Sequence, residues 1–304
     1  MARPVAYMTI DLEDYRRQEL RDHWDPAEPA HPREVERQLD LTLGLLGELG
    51  AGATFFAVGR LVAELSRGAW RGISGPHRLG CHGDEHLRVH RLGPHGFARD
   101  LARSRGRLEE VSGRPVVSFR APYFGADGCD PWFGEALARE GFRVDSSRRA
   151  AEMPPGREGT YPLPGAGGRV VEVPLRSLGV GPKRITVIGG TYFRLLPTPW
   201  IVALLEGARA RGFLPMVYLH PYDLDPGAPP LAYPRFSRWR PRLGDRIRRM
   251  GRESAADKLR VLASLYDFRP VESLLDPAPA PRPLAADAFD PPAVAVALGA
   301  IAAP

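Results

Sequence analysis

Short apolar runs alternate along the chain with stretches whose apolar residues recur every three or four positions. Val5 to Ile10 is an unbroken run that ends in acids and predicts a buried strand. Val35, Leu39, Leu43, Leu46 and Leu49 then follow helical spacing, and Gly50 is placed to close that helix. A strand is predicted at Ala53 to Val58, another at Arg78 to Cys81, a helix through Phe97, Leu101, Leu108 and Val111, and a strand at Val116 to Phe119. The pattern continues with a helix near Trp132 to Glu140, strands at Phe142 to Val144 and Val170 to Val173, a helix near Trp200 to Arg211 and a strand at Leu214 to Leu219. Such alternation predicts a parallel sheet covered by helices, doubly wound or closed into a barrel.

After Leu275 the chain turns to Asp-Pro-Ala-Pro-Ala-Pro-Arg-Pro and an Ala/Pro-rich stretch that is poorly suited to building a core. One catalytic domain over residues 1–275, followed by a mobile tail over 276–304, is therefore expected. An arginine-dense segment from Arg235 to Arg252, interleaved with Phe236 and Trp239, breaks the alternation. It reads as a solvated helix and loop, with an anionic or lipid-phosphate contact as the sharper alternative.

Composition changes this picture little. An apolar fraction of 43% and a charged fraction of 26% over 304 residues are ordinary for a folded globular chain. The net charge of +6 is carried almost wholly by arginine, since Lys183 and Lys258 are the only lysines, and it argues weakly for nucleic acid as a partner. Two cysteines, Cys81 and Cys129, are too few for a disulfide framework. Neither a secretory leader nor a run of about 18 apolar residues is present, so a cytoplasmic chain without a transmembrane segment is expected.

The ends of the predicted strands carry the chemistry. Asp11, Glu13 and Asp14 follow the first; His82 and His86 follow Cys81; Arg120, Asp145 and His220 each follow a later one. In parallel α/β folds these ends gather on one face, where sites form. Two histidines four apart can meet one metal, and three crowded carboxylates repel unless a cation or a division of acid and base roles separates them.

Six segments resemble the ordered motifs of the polysaccharide deacetylases, the NodB-homology group also called carbohydrate esterase family 4. They are Thr9 to Tyr15, His82 to His86, Arg120 to Phe124, Asp145 to Ser147, Gly189 to Pro197 and Tyr218 to Asp223. The similarity is closest to the branch found in exopolysaccharide gene clusters. It implies a distorted, incomplete (β/α) barrel and a divalent ion, commonly zinc, with Co2+, Ni2+ or Mn2+ also able to serve. It further implies Asp11 as general base, His82 and His86 as metal ligands, and either Glu13 or Asp14 as the third ligand, with Asp14 preferred. Arg120 would orient the base, His220 would be the general acid with Asp145 as its partner, and Tyr123 and Tyr192 would flank the substrate and the oxyanion. Where the family often has an aromatic after the aspartate, this chain has Ser146, Ser147 and Arg148. The implied activity is removal of acetyl from an N-acetylated sugar. A related amidase on a small molecule or peptidoglycan fragment, and a catalytically inactive carbohydrate-binding protein, are the competing readings.

Overall fold

The computed structural model describes residues 3–23, 28–180, 183–186, 188–231 and 239–276. Twelve strands are described: β1 (Val5–Leu12), β2 (Thr54–Ala57), β3 (Arg78–Cys81), β4 (Ser118–Phe119), β5 (Val144–Asp145), β6 (Arg149–Ala150), β7 (Tyr161–Pro162), β8 (Val171–Glu172), β9 (Leu175–Val180), β10 (Lys183–Thr186), β11 (Met216–Leu219) and β12 (Asp267–Arg269). The α-helices are α1 (Tyr15–His23), α2 (Pro32–Leu49), α3 (Leu61–Glu64), α4 (Arg67–Gly72), α5 (Val89–Ser112), α6 (Trp132–Arg139), α7 (Gly190–Leu195), α8 (Thr198–Arg209), α9 (Trp239–Arg249) and α10 (Ala255–Leu265).

The main sheet runs β11-β1-β2-β3-β4-β5-β8-β7, with β12 also beside β1. Its pairings are parallel except β7 with β8. A smaller sheet, β10-β9-β6, lies off its end. The sheet curls, and period-two alternation gives its two faces different neighbours. Ala6, Met8, Ile10 and Leu12 of β1, Phe55 and Ala57 of β2, and Phe119 of β4 join the large core packed under the helices. Tyr7, Phe56, Val144, Val173 and Met216 form a separate cluster on the inside of the curl. Gly80 is on that inner side, where an added Cβ would stand 2.6 Å from both the Phe56 ring and Ser118 Oγ, so no larger residue fits without displacing them.

The helix over residues 35–49 extends from Pro32 to Leu49, and Gly50 closes it in the left-handed conformation, φ 61°, that glycine adopts cheaply. The predicted strands at 78–81 and 214–219 appear as β3 and β11. The hairpin β9–β10, the helices α1 and α10 and the three-residue β12 were not predicted; the last is too short to carry a period. Of the arginine-dense segment, α9 covers 239–249, while residues 232–238 lie outside the described residues, as do 277–304 of the expected tail. No helix among the described residues is long and apolar enough to cross a membrane.

Candidate metal and hydrolase site

The alternation of β1 decides which of its terminal acids enter the curl. Leu12 belongs to the helix-side core, so Asp11 and Glu13 share the opposite, inner direction and Asp14 turns outward. Glu13, His82 and His86 are all buried, and a ligand atom from each lies within 4.8 Å of the other two; no other such cluster of His, Cys, Asp and Glu occurs among the described residues. Asp14 does different work. Its Oδ1 accepts the Arg17 backbone N–H at 2.9 Å and its Oδ2 accepts that of His31 at 2.7 Å, which caps the start of α1 and ties down the chain before α2. The preference for Asp14 over Glu13 as third ligand is therefore reversed by the geometry.

The histidine loop is anchored from behind. Gly83 takes φ 73°, the buried Asp84 meets Arg107 at 2.8 Å, and Asp100 accepts the Asp84 backbone N–H at 2.9 Å. His82 Nδ1 lies 2.7 Å from the Arg120 carbonyl, which makes Nδ1 the protonated nitrogen and leaves Nε2 with its lone pair. Burial pushes the His82 imidazole down to about 4, so it is neutral at pH 7, the form that binds metals. His86 has a left-handed backbone, φ 53°, places Nε2 2.9 Å from Glu13 Oε2, and has a buried Nδ1 with no hydrogen-bond partner. Burial opposes ionisation of Glu13, but His86, His220 and His82 outweigh it and hold the carboxyl at about 2. Two imidazoles and one ionised carboxylate converging without another cation fit a divalent ion of the zinc type. His90, also four residues from His86, is exposed and takes no part.

Asp11 faces this cluster, its Oδ2 3.7 Å from His82 Nε2 and its Oδ1 2.8 Å from Arg120 Nη1. Arg120 is fully buried, and its remaining donors go to Thr9 Oγ1 at 3.0 Å, the Ser146 carbonyl at 3.1 Å and Ser146 Oγ at 3.0 Å, with the guanidinium 4.4 Å from the Phe56 ring centre. A guanidinium so fully engaged fixes the direction of Asp11. Ser146, directly after Asp145, is thus part of this support.

Across the cavity stands His220. Its Nδ1 lies 3.2 Å from Asp223 Oδ2, and Asp223 Oδ1 accepts from Arg194 Nε at 2.8 Å. Burial disfavours the imidazolium, but the Asp223 hydrogen bond and the charges of Glu13, Asp223 and Asp11 prevail and raise its pKa. The carboxylate partner of His220 is therefore Asp223, not Asp145. Val144 occupies the inner side of β5, so Asp145 turns to the outer side and meets Glu172 of β8.

Asp11, Glu13, His82, His86, Tyr123, Tyr192 and His220 line one cavity of about 790 Å³; Asp14 and Asp145 do not. Tyr15, Tyr218 and Tyr222 complete an aromatic wall, and His220 stacks on Tyr222 with ring centres 4.6 Å apart. Tyr123 sits at φ 60° in the turn after β4, and Tyr192 comes from α7, which starts where Gly189 packs so closely on Tyr218 that a Cβ would lie 2.1 Å from its ring. Asp223, Arg194 and Ser146 had been given no role from sequence. The three-residue step from His220 to Asp223 was a usable signal, since one tight turn brings such residues together; nothing local marked Arg194.

Residues 34–128 match the family model described as polysaccharide deacetylase, and residues 144–276 match a domain of unknown function, DUF3473. No curated protein matches the chain in sequence. Among solved structures, a Mycobacterium smegmatis protein assigned as a polysaccharide deacetylase is similar over 95% of this chain and 99% of its own, at 19% identity and a TM-score of 0.56. That likeness shows the fold, an incomplete (β/α) barrel of the polysaccharide deacetylase type. A peptidoglycan deacetylase of Bacillus subtilis (14% identity, 90% and 91% coverage, TM-score 0.46) and a family 4 pseudoenzyme of Bacillus anthracis (12%, 90% and 66%, 0.47) are more distant, and no argument rests on them.

Proposed function

We propose that this chain is a metal-dependent N-deacetylase that hydrolyses the acetamide of an N-acetylated sugar in a polysaccharide, oligosaccharide or lipid-linked precursor, with residues 1–275 acting as one catalytic domain. The observation that carries the reading is the pairing, across one tyrosine-walled cavity, of the Glu13–His82–His86 cluster and Asp11 with a histidine whose charged form is favoured.

Glu13, His82 and His86 would hold the ion, zinc being the natural choice for two imidazoles and a carboxylate. When bound, such an ion lowers the pKa of water and polarises a carbonyl oxygen. Asp11, aimed by Arg120, takes the proton from the attacking water. The left-handed turn at Tyr123 offers a backbone N–H to the oxyanion that develops on the acetyl group. An amine leaves poorly until protonated, so His220, oriented through Nδ1 by Asp223, delivers a proton from Nε2 to the sugar nitrogen as the C–N bond breaks, releasing acetate and the free amino sugar. The tyrosines suit the apolar faces of sugar rings. An anionic or lipid-phosphate part of the substrate would meet Arg246, which is exposed on α9, because Arg248 and Arg249 are engaged by Glu19 and Asp245.

The test is to incubate the zinc-loaded chain with N-acetylglucosamine oligomers of rising length and assay acetate and free amine together. Equal release of both, lost in Asp11→Asn, is expected. Release from small amides only would favour the related amidase, and no release from any acetylated sugar by metal-loaded protein would leave the carbohydrate-binding reading.

A further inference from the structure

Asp145 and Glu172 are register partners on adjacent parallel strands, and both side chains are fully buried. Each has one oxygen already committed: Asp145 Oδ1 accepts from Ser147 Oγ, and Glu172 Oε1 accepts the Arg148 backbone N–H at 3.0 Å. The other two oxygens, Asp145 Oδ2 and Glu172 Oε2, have no donor, yet the two side chains lie within hydrogen-bonding reach of each other. Two ionised carboxylates so placed would repel, and no cation separates them. Arg148, beside them on the chain, turns its guanidinium to Asp130 at 2.6 Å, and Arg120, just after β4, is held by Asp11. The other titratable neighbour is Tyr161 of β7, in register with Glu172.

We propose that Asp145 and Glu172 share one proton between Oδ2 and Oε2, and that the pair is a positioning device for the Arg120–Phe124 turn of the site. The mechanical link is Ser147. Because its hydroxyl hydrogen goes to Asp145, its oxygen is free to accept the Ala121 backbone N–H, which it does at 2.8 Å. Ala121 lies between the arginine that aims Asp11 and the two residues with left-handed backbones, Tyr123 and Phe124, so the turn is strained and needs an anchor. Burial raises the Asp145 pKa, and burial together with the Asp145 charge raises that of Glu172 well above the ordinary value, in keeping with a retained proton. The positioning half of this inference rests on the deacetylase reading; the shared proton does not.

The experiment compares thermal unfolding of the full chain from pH 5 to 9 in the parent, Asp145→Asn, Glu172→Gln and the double variant. A folded state that keeps a proton the unfolded chain releases loses stability as pH rises above the ordinary carboxyl range. Either single amide supplies a permanent N–H donor in place of the proton, so both single variants should gain stability relative to the parent as pH rises. The double variant sets two N–H2 groups face to face and should melt below either single one at every pH. Single variants that track the parent across pH, or a double variant as stable as the single ones, would overturn the shared proton. Ser147→Ala tests the link: it should lower kcat on an acetylated oligomer about tenfold or more, as small misplacements do, with KM and bound zinc little changed, and speed hydrogen exchange at the Ala121 N–H. Unchanged exchange and kcat would overturn the positioning role. If the parent released no acetate, the deacetylase reading would fall, while the unfolding and exchange measurements would still decide this inference.

Discussion

Asp11 and Asp145 are two aspartates at the C-terminal ends of strands in one parallel sheet, both almost completely buried, and yet their surroundings are opposite. Asp11 points inside the curl, is bound by a fully engaged arginine and faces a cavity. Asp145 points to the outer side and meets another acid. One is gripped by a guanidinium at 2.8 Å; the other is pushed toward its protonated form by burial. Position along a strand chooses the end of the sheet at which a side chain lies, but the parity of the residue chooses the side of the sheet, and here parity sets one aspartate against the cavity and the other against a second acid.

The strongest test of that rule lies just past the end of β1, where Glu13 and Asp14 differ in the same way. Glu13→Ala or His82→Ala should empty the metal site and abolish turnover, whereas Asp14→Ala should keep one equivalent of zinc and lose about 1 kcal/mol of stability with its helix cap; metal analysis beside chemical unfolding reads both. Next in size, Asp11→Asn should bind zinc normally and lose turnover by about 10² to 10⁴, the usual range for a missing general base. Asp145→Asn should cost far less, and equal losses in the two would break the comparison.

Replacing His220 by Ala should produce a loss of about 10² to 10⁴ on acetamides, but much less on an activated amide whose leaving group needs no proton. With the His220 pKa raised, its charged form persists above the ordinary imidazole range, so the alkaline decline of the rate should lie above that range. Asp223→Asn removes a raising influence and should move that decline to lower pH, as a rate profile would show. The smallest effect is expected at Arg246→Ser, with KM for an anionic acceptor up by a few-fold, less so at high salt, and kcat unchanged.

Much of this architecture could be read from residue pattern alone. Gly50 and the strands at 78–81 and 214–219 were identifiable because apolar period and a left-handed cap are local properties. Asp11, Glu13, His82, His86 and His220 of the cavity were legible for the same reason, each at or near the end of an apolar run, whereas Tyr123 and Tyr192 came only from the resemblance. Glu13 was recoverable from the alternation Asp11-Leu12-Glu13, which puts it on the same side as Asp11 and Asp14 on the other. Arg194 was not recoverable. Its contact with Asp223 depends on how α7 seats against the turn after β11, and its other donors reach the carbonyls of Ile247 and Met250, more than fifty residues away.

The strand that carries Asp11 and leads into Glu13 is the first of those described; β2 pairs with it, but so do β11 and β12, which occur after residue 215. During synthesis, β1 must therefore wait, one edge unpaired, until nearly all of the other described elements have emerged from the ribosome. Closing so long a loop is slow, and exposed apolar edges invite association in the interval. The acids that would serve the metal cannot be locked in place early, so the ion should be captured late, by a chain whose sheet is already almost complete.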